Sequence, residues 1–237
     1  MRTRVHRLFA TLSAILLAAT IHAQVGQPRN DLAVGVSGGY LINRVSFTPT
    51  IKQQWKGGET FGLTIRYTCE KYFSSICAIQ AEVNYTNLGW RELIENSEDT
   101  YSRDMRYVQV PIFARLGWGR ERRGAQFFFQ AGPQISYFLS ETEHFSDPWV
   151  GYPRPNNVTK QYGMALQNKF EYGLAGGIGL EISTSVGHFL LDARYYYGLS
   201  DIYHNGKKDP FGRSANGAIS LKLSYLFDLI RTKGDIK

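Results

Sequence analysis

Apolar and polar residues alternate along most of this chain with a period of two. Eight segments of about ten residues or more show this alternation. They are residues 32–45, 59–69, 77–89, 105–118, 125–140, 170–185, 188–199 and 215–227. Because successive side chains of a strand point to opposite faces, the alternation predicts eight strands, and each is long enough to cross a hydrocarbon core when it is tilted.

The two faces of these segments differ in charge. In the second segment, Phe61, Leu63 and Ile65 share one face and Arg66 lies on the other. From the second segment onwards the apolar face carries no charge, and the other face carries four acidic and four basic side chains. These are Arg66, Glu82, Arg115, Glu171, Glu181, Asp192, Arg194 and Lys222.

The linkers between the segments alternate in length. Those after the first, third, fifth and seventh segments have about 13, 15, 29 and 15 residues, and those between have about 7, 6 and 2. Long loops on one side and short turns on the other, with an even number of strands, are typical of an outer membrane barrel. The sequence therefore predicts an all-β fold, an eight-stranded antiparallel transmembrane β-barrel with up-and-down meander topology and both termini on the short-turn side.

The interior of an eight-stranded barrel is just wide enough for side chains to fill it. Because an unpaired buried charge is costly, we expect the eight charged residues to form an ion-pair network that plugs the lumen. A narrow polar conduit through the same residues is the alternative.

Aromatic residues lie near the ends of the predicted strands, on the apolar face. They are Tyr40, Tyr67, Tyr85, Tyr137, Tyr195, Tyr197, Tyr225 and Phe227. Amphipathic rings favour both interfaces of a membrane, so these positions predict two aromatic girdles. A general preference of aromatic residues for strands would also place them there.

The first residues have the pattern of an export signal. Arg2, Arg4 and Arg7 precede an apolar stretch that is too short to span a bilayer, and Ala23 occupies the expected cleavage position. We therefore expect a signal peptide at residues 1–23 and an outer membrane barrel domain at residues 24–237, with an amphipathic N-terminal anchor as the alternative. The formal charge of +7 falls to about +4 without the leader, which is too mild to indicate a nucleic-acid partner.

Two cysteines, Cys69 and Cys77, lie close together in a chain that is expected to be exported. A disulfide between them is chemically permitted in an oxidising compartment, but the spacing alone does not determine whether the two Cα atoms have a suitable separation.

Three short motifs resemble the PorT family of outer membrane β-barrels from Bacteroidetes-type bacteria. Residues 79–85 (IQAEVNY) with Gly89 are similar to a family strand with an inward Glu, and residues 194–202 (RYYYGLSDI) are similar to its aromatic-Gly-Leu strand end. Residues 107–111 (YVQVP) resemble a third strand, with Gln109 in place of the usual Glu. The resemblance implies a barrel with an accessory role in type IX protein secretion and maturation, and hence secretion-machinery proteins as partners.

Candidate chemistry outside the barrel wall is sparse. We expect no catalytic, metal-binding or cofactor-binding residues, because the sequence has neither a nucleophile-elbow motif nor a metal-ligand spacing. His144 and His204, near Ser146 and Ser200, leave a lipid-modifying enzyme as one alternative to a non-enzymatic barrel. A general structural or ligand-binding surface barrel is the other.

A basic segment in the last long linker could contact outer membrane lipids, in particular lipopolysaccharide phosphates. Its residues are His204, Lys207, Lys208 and Arg213. A solvated loop without a partner is the alternative interpretation.

Overall fold

The computed structural model describes residues 26–95, 97–151, 154 and 158–232, so the expected signal peptide lies outside the described residues. Nine strands follow one another along the described residues. They are β1 (Gln27–Thr48), β2 (Gln53–Gln54), β3 (Lys56–Tyr72), β4 (Ser75–Glu92), β5 (Tyr101–Gly119), β6 (Gly124–Phe145), β7 (Phe170–Ser183), β8 (His188–Gly198) and β9 (Arg213–Ile230). Within the described part of the chain, no helix is long and apolar enough to span a membrane.

Eight of these strands form a closed ring. From β3 to β9 each long strand pairs antiparallel with the next, and β1 pairs with both β3 and β9, for example through Val36 opposite Tyr225. The two-residue strand β2 pairs only with the end of β4. The predicted eight-stranded up-and-down barrel is therefore confirmed.

The alternation of the sequence becomes an alternation of burial. Along β8, Leu190, Asp192 and Arg194 are buried inside the barrel, whereas Leu191 and Tyr195 are exposed on the outside. Leu63 and Leu223 are 65% and 66% exposed on the outer wall. An apolar wall of this kind would be unfavourable in water and suits contact with lipid chains.

Both predicted girdles are on the outer wall. Tyr67 and Phe227 are exposed near the short-turn end, and Tyr40, Tyr85 and Tyr195 are exposed toward the long-loop end. The rings thus bound an apolar band on the outside of the barrel, as expected for a wall that spans a membrane.

The strands extend further than predicted at the long-loop end. The loops there are residues 49–55, 93–100, 146–169 and 199–212, so the predicted lengths were too large, most of all for the first two. The pairing of β5 with β6 continues to Tyr101 opposite Phe145. Above the girdle the outward side chains become polar, as at Ser102 and Asp104, so the apolar alternation ends before the hydrogen-bonded ladder does.

Aromatic side chains close the long-loop end of the barrel from inside. Phe47, Trp90 and Tyr203 are buried there, with ring centroids 5.1 Å apart for Phe47 and Trp90 and 6.4 Å apart for Phe47 and Tyr203. Phe211 of the β8–β9 loop packs on the same cluster. We call this cluster, together with the described residues of the loops at 49–55, 93–100, 146–169 and 199–212, the extracellular cap.

Candidate functional site

The lower lumen, near the short turns, contains a cluster centred on Glu181 of β7. Arg66 Nη1 lies 2.7 Å from Glu181 Oε2, and Arg115 Nη2 contacts the same oxygen. His188 Nδ1 lies 2.7 Å from Glu181 Oε1, and its Nε2 lies 3.0 Å from Asp228 Oδ1. Inward positions of five strands therefore meet in one network.

The middle lumen contains a second cluster, centred on Glu82 of β4. Arg194 makes a two-pronged contact with Glu82, at 2.7 and 2.8 Å, and its Nε also donates to Asp192. Lys222 Nζ lies 2.8 Å from Glu82 Oε2. This cluster balances two cations with two carboxylates, which is the arrangement that a buried set of charges requires.

Glu171 corrects the expectation that all eight charged residues pair with one another. Its carboxylate accepts hydrogen bonds from the Tyr107 hydroxyl and, at 2.8 Å, from Asn216 Nδ2, and no cation among the described residues contacts it. Glu171 is ten residues from Glu181 on the same strand, so it lies near the other end of the lumen, beyond the reach of the arginines.

His188 and Asp228 were missed from the sequence and join the lower cluster instead. Both continue the inward positions of their strands, in phase with Asp192 on β8 and Lys222 on β9. The predicted last strand ended at residue 227, one residue before Asp228. Extending the alternation by one position would have found it.

Two phenylalanines also fill the lumen. The guanidinium carbon of Arg115 lies 3.6 Å from the ring centroid of Phe128, and that of Arg194 lies 5.0 Å from Phe113. Guanidinium groups stack favourably on aromatic faces, so the rings pack the space between the ion pairs. Only small cavities remain beside these groups, of about 30 Å³ at the lower cluster and about 40 Å³ next to Arg194 and Lys222.

The short-turn end is crossed by contacts from the basic turn of residues 120–123. Glu121 Oε1 lies 2.6 Å from Arg29 Nε of β1, and Arg122 Nη2 donates to the Thr232 carbonyl at 2.6 Å. Partial burial acts to raise the pKa of Glu121, but the hydrogen bonds and charges of Arg29 and Lys71 together outweigh it and lower the pKa below its ordinary value. The β5–β6 turn is thereby tied to β1 and to the chain just after β9.

The extracellular cap is held by buried polar contacts that the sequence analysis did not identify. Arg103 is fully buried and contacts both Glu141, at 2.6 Å, and Glu143. It also donates to the carbonyls of Gln161, at 3.0 Å, and Met164, at 2.6 Å, in the longest loop.

Arg103 continues the inward phase of β5. An irregularity in the β5–β6 pairing, between Arg106 and Tyr107, shifts the inward phase of β6 so that Glu141 and Glu143 also face the lumen, and the alternation of the sequence therefore gave no signal for them.

A second ion pair anchors the same loop. Arg154 Nη2 lies 2.5 Å from Asp99 Oδ2, and the Asp99 carboxylate accepts backbone hydrogen bonds from Val150, at 3.1 Å, and Gly151, at 2.9 Å. The hydrogen bond from Arg154 is the largest of the causes that lower the pKa of Asp99. The β6–β7 loop is thus fixed to the β4–β5 loop.

The histidine and serine pairs considered for catalysis do not form contacts. His144 Nε2 lies 3.0 Å from Asp104, whereas the Ser146 hydroxyl accepts from Thr100 N and donates to the Pro148 carbonyl. The backbone N–H of His204 donates to Gln167 Oε1. The Ser200 hydroxyl accepts from Tyr172 N and donates to the Tyr172 carbonyl.

Buried Ser183 does lie 2.9 Å from His188 Nδ1. That histidine is held by the carboxylates of Glu181 and Asp228 inside the lower lumen. No cluster of three or more metal-ligating side chains occurs in the described residues.

The cysteines are both free, so the disulfide considered for Cys69 and Cys77 is not formed in this structure. The reason is the local register. An irregularity between Thr68 and Glu70 interrupts the pairing of β3 with β4, and it places Cys77 opposite Glu70 rather than opposite Cys69.

The basic residues of the β8–β9 loop are accessible. His204, Lys207 and Lys208 are exposed. Arg213 lies lower, at the first position of β9, where its Nη2 donates to the Tyr197 hydroxyl at 2.7 Å. The loop and Arg213 therefore do not form one continuous cluster.

Residues 22–204 match the sequence model of a family described as outer membrane protein beta-barrel domain. OprG from Pseudomonas aeruginosa is similar in structure, at 13% identity and a TM-score of 0.50, with 85% of this chain and 98% of that chain covered. Neisserial surface protein A aligns at 12% identity and a TM-score of 0.42, over 83% and 97% of the two chains. The outer membrane enzyme PagL aligns at 14% identity and a TM-score of 0.37, over 83% and 98%. No curated protein matches the sequence.

Proposed function

We propose, from the premise that this chain belongs to the outer membrane protein β-barrel domain family, that it is a non-enzymatic barrel with a closed lumen, which acts through its surfaces. The observation that carries this proposal is the filling of the lumen. Glu82 and Glu181 each bind two cations inside the wall, and the extracellular cap covers one end. A barrel packed in this way has little room for a solute to pass or for a substrate to bind.

An accessory role in type IX protein secretion and maturation is the specific form of this proposal. Its support is the resemblance to the PorT family. In this structure the first two motifs lie on β4 and β5, and the third runs from β8 into the β8–β9 loop; they contribute Glu82 and Arg194, two members of the middle lumen cluster. In such a role the rigid barrel would hold its loops or turns in place for proteins of the secretion machinery.

Deletion of the gene tests the secretion role directly. We expect the deletion strain to lose or retain in the periplasm a set of extracellular and surface proteins, as measured by quantitative proteomics of culture medium and outer membranes. Complementation with the wild-type gene should restore them. Normal secretion in the deletion strain would refute the role in secretion, and purification of the protein from native membranes would then identify other partners.

A surface-binding barrel is a second candidate, and the extracellular cap favours it. Arg103 and Arg154 anchor described residues of the longest loop through ion pairs and hydrogen bonds, and anchored residues lose less entropy when they bind a ligand. In this case, replacement of exposed residues of the β6–β7 loop, such as Asp147 and Lys160, should alter adhesion or envelope integrity while secretion stays normal.

The absence of enzymatic activity is part of the proposal and has its own test. Mass profiles of lipid A and phospholipids from strains with and without the gene should be identical. A lipid species that disappears on deletion and returns on complementation would contradict this and would support the lipid-modifying alternative.

A further inference from the structure

The hydrogen-bonded ladder ends at different heights on the two sides of β6. On one side, β6 pairs with β5 as far as Tyr101 opposite Phe145. On the other side, its pairing with β7 ends at Tyr137 opposite Phe170. Residues 139–145 therefore form a sheet edge above the upper girdle, and we call this segment the β6 edge.

The register shows which main-chain groups this edge leaves open. The bond from Ser146 N to the Thr100 carbonyl fixes the alternation, so the even-numbered residues of the edge bond to β5. The N–H and C=O groups of Glu141, Glu143 and Phe145 point away from β5. Within the described residues, no hydrogen bond reaches these groups.

Other strands that outrun a neighbour at this end have their open groups bonded. Where β1 continues beyond β3, the Gln53 side chain accepts from Val45 N at 3.0 Å and donates to the Val45 carbonyl at 2.6 Å. On β9, Ser214 N donates to Asp201 Oδ1, and its carbonyl accepts from Ile202 N. No comparable bond covers the β6 edge in the described part of the chain, so this edge can accept another strand.

The described part of the longest loop bonds to side chains of this edge and not to its main chain. Gly163 N donates to the Glu143 carboxylate and Leu166 N to the Glu141 carboxylate, from the lumen side. The next two residues of the loop both donate to the Ile202 carbonyl. The loop therefore turns toward the β8–β9 loop instead of pairing with β6.

An extended chain is the occupant that fits such an edge, because it returns one donor and one acceptor to each open residue. A second copy in the same membrane fits poorly. Its β6 runs outward with the same tilt of about 35–45°, so two β6 strands related by a twofold axis along the membrane normal cross steeply and form no ladder. The occupant is therefore a segment of a different protein.

A free carboxylate oxygen adds a preference for a basic residue. Glu143 Oε1 accepts from Tyr101, Arg103 and Gly163, whereas no described residue contacts Glu143 Oε2. The Glu143 side chain is 21% exposed. A lysine or arginine directly opposite Glu143 on an added strand would lie beside this oxygen, as oppositely charged cross-strand pairs do.

We propose that the β6 edge binds an extended segment of another protein outside the membrane. The segment adds as an antiparallel strand, with a basic residue opposite Glu143. Main-chain bonds to the three open residues supply affinity, and the basic residue supplies specificity. This inference rests on the proposed function, in which the barrel acts through its surfaces, and it names the class of partner for one of them.

Amide hydrogen exchange, followed by NMR on the folded barrel in phospholipid nanodiscs, tests the proposal. The probe is an eight-residue peptide of alternating threonine and lysine. In the free barrel, the amides of Thr142 and His144 should be protected by β5, whereas those of Glu141 and Glu143 should exchange freely. The peptide should slow exchange at Glu141 and Glu143 by about fivefold or more, the effect of one ordinary hydrogen bond, and leave the other two unchanged.

Two N-methylated peptides separate main-chain pairing from charge. N-methyl groups on the lysines remove the donors that face Glu141 and Glu143, so this peptide should give no protection. The same groups on the threonines point to the far edge of the added strand, so that peptide should protect to within about twofold of the parent peptide.

Substitution of Glu143 tests the preference for a basic residue. Glu143→Gln should weaken binding of the parent peptide about threefold, the effect of one cross-strand charge pair. Asp147→Asn removes an exposed carboxylate just beyond the edge and is the matched control, with an expected change of less than about twofold. Heat-modifiable migration on gels verifies that both variants fold.

Three results would overturn the proposal. Protection of Glu141 and Glu143 in the free barrel would show that this chain or a second copy already occupies the edge. Protection by the lysine-methylated peptide would show that no strand is added, and equal binding by folded Glu143→Gln would remove the role of the basic residue. A secretion defect on gene deletion without peptide protection would contradict the β6 edge alone, whereas protection with normal secretion would contradict only the secretion role.

Discussion

Replacement of Glu82 by Gln removes the central charge of the middle lumen cluster while it keeps the shape of the side chain. In the native barrel this cluster has two cations, Arg194 and Lys222, and two carboxylates, Glu82 and Asp192. The substitution leaves two buried cations against one carboxylate. Because Glu82 is the only carboxylate that contacts Lys222 among the described residues, the lysine is left with the Asn84 side-chain oxygen, at 2.8 Å.

The expected loss of stability depends on which contacts remain in the Glu82→Gln variant. Arg194 keeps its contacts with Asp192 and loses the charge of the two-pronged contact with Glu82. Removing one partner of a buried ion pair costs about 3–5 kcal/mol. A Gln side-chain oxygen can still accept one hydrogen bond, so we expect Glu82→Gln to lower the free energy of unfolding by about 3 kcal/mol, the lower end of that range.

Urea-induced unfolding in phospholipid vesicles, followed by tryptophan fluorescence, measures this free energy. Glu59→Gln is the matched control, since Glu59 is exposed on the outside of β3, and it should change stability by less than about 0.5 kcal/mol. The double variant with Lys222→Met should recover part of the loss because it removes the stranded cation. If Glu82→Gln is no more destabilising than Glu59→Gln, the charge-balance argument is incorrect.

Three further predictions concern the cap and the wall. Arg154→Gln should speed proteinase K cleavage of the β6–β7 loop several-fold in the folded protein, because it removes the anchor to Asp99; cleavage at the wild-type rate would show that the anchor is unimportant. The pKa of Asp99 is lowered from its ordinary 3.8, so its ionised carboxylate stabilises the loop fully above pH 3.8, and this stabilisation is lost as the pH falls through the lower pKa of the folded state. Hydrogen-exchange protection of the loop should therefore fall only below pH 3.8. Asp99→Asn should abolish this pH dependence. Gly35→Val should prevent folding, because a Cβ on Gly35 would lie 1.8 Å from the Tyr225 carbonyl oxygen, whereas Gly176→Ala, with 3.5 Å of clearance, should fold; equal heat-modifiable migration of the two variants would contradict this.

The barrel itself could be predicted because lipid and lumen impose opposite demands on alternate residues. Every second side chain of β8 faces lipid, so Phe189, Leu191 and Tyr195 had to be apolar, and the charges of Asp192 and Arg194 had to face inward. This constraint applies only within the membrane. Above the girdle, water contacts the outer wall as well, and the extension of β5 beyond residue 105 was therefore invisible in the pattern.

The assignment of partners within the lumen could be predicted only in part. Equal numbers of acids and bases implied pairing, and seven of the eight residues do have ionic partners. Glu171 does not, because position along the barrel axis, and not face alone, decides which charges can meet. That position depends on strand register, and the stagger between Glu171 on β7 and Arg194 on β8 was not encoded in either segment separately.

The extracellular cap could not be predicted because its contacts join distant parts of the chain. Arg103 meets Glu143 across 40 residues, and Arg154 meets Asp99 across 55. In a linear sequence these look like ordinary solvated loop charges, which is the more common environment for such residues.

Ion conductance in planar lipid bilayers tests the central claim, a lumen closed by paired charges and aromatic rings, most directly. We predict that the folded barrel, at neutral pH in concentrated salt, adds no steady current to that of the bare bilayer. A large, steady and ohmic current from the same preparation would show an open aqueous path past Arg115 and Arg194, and it would contradict the account.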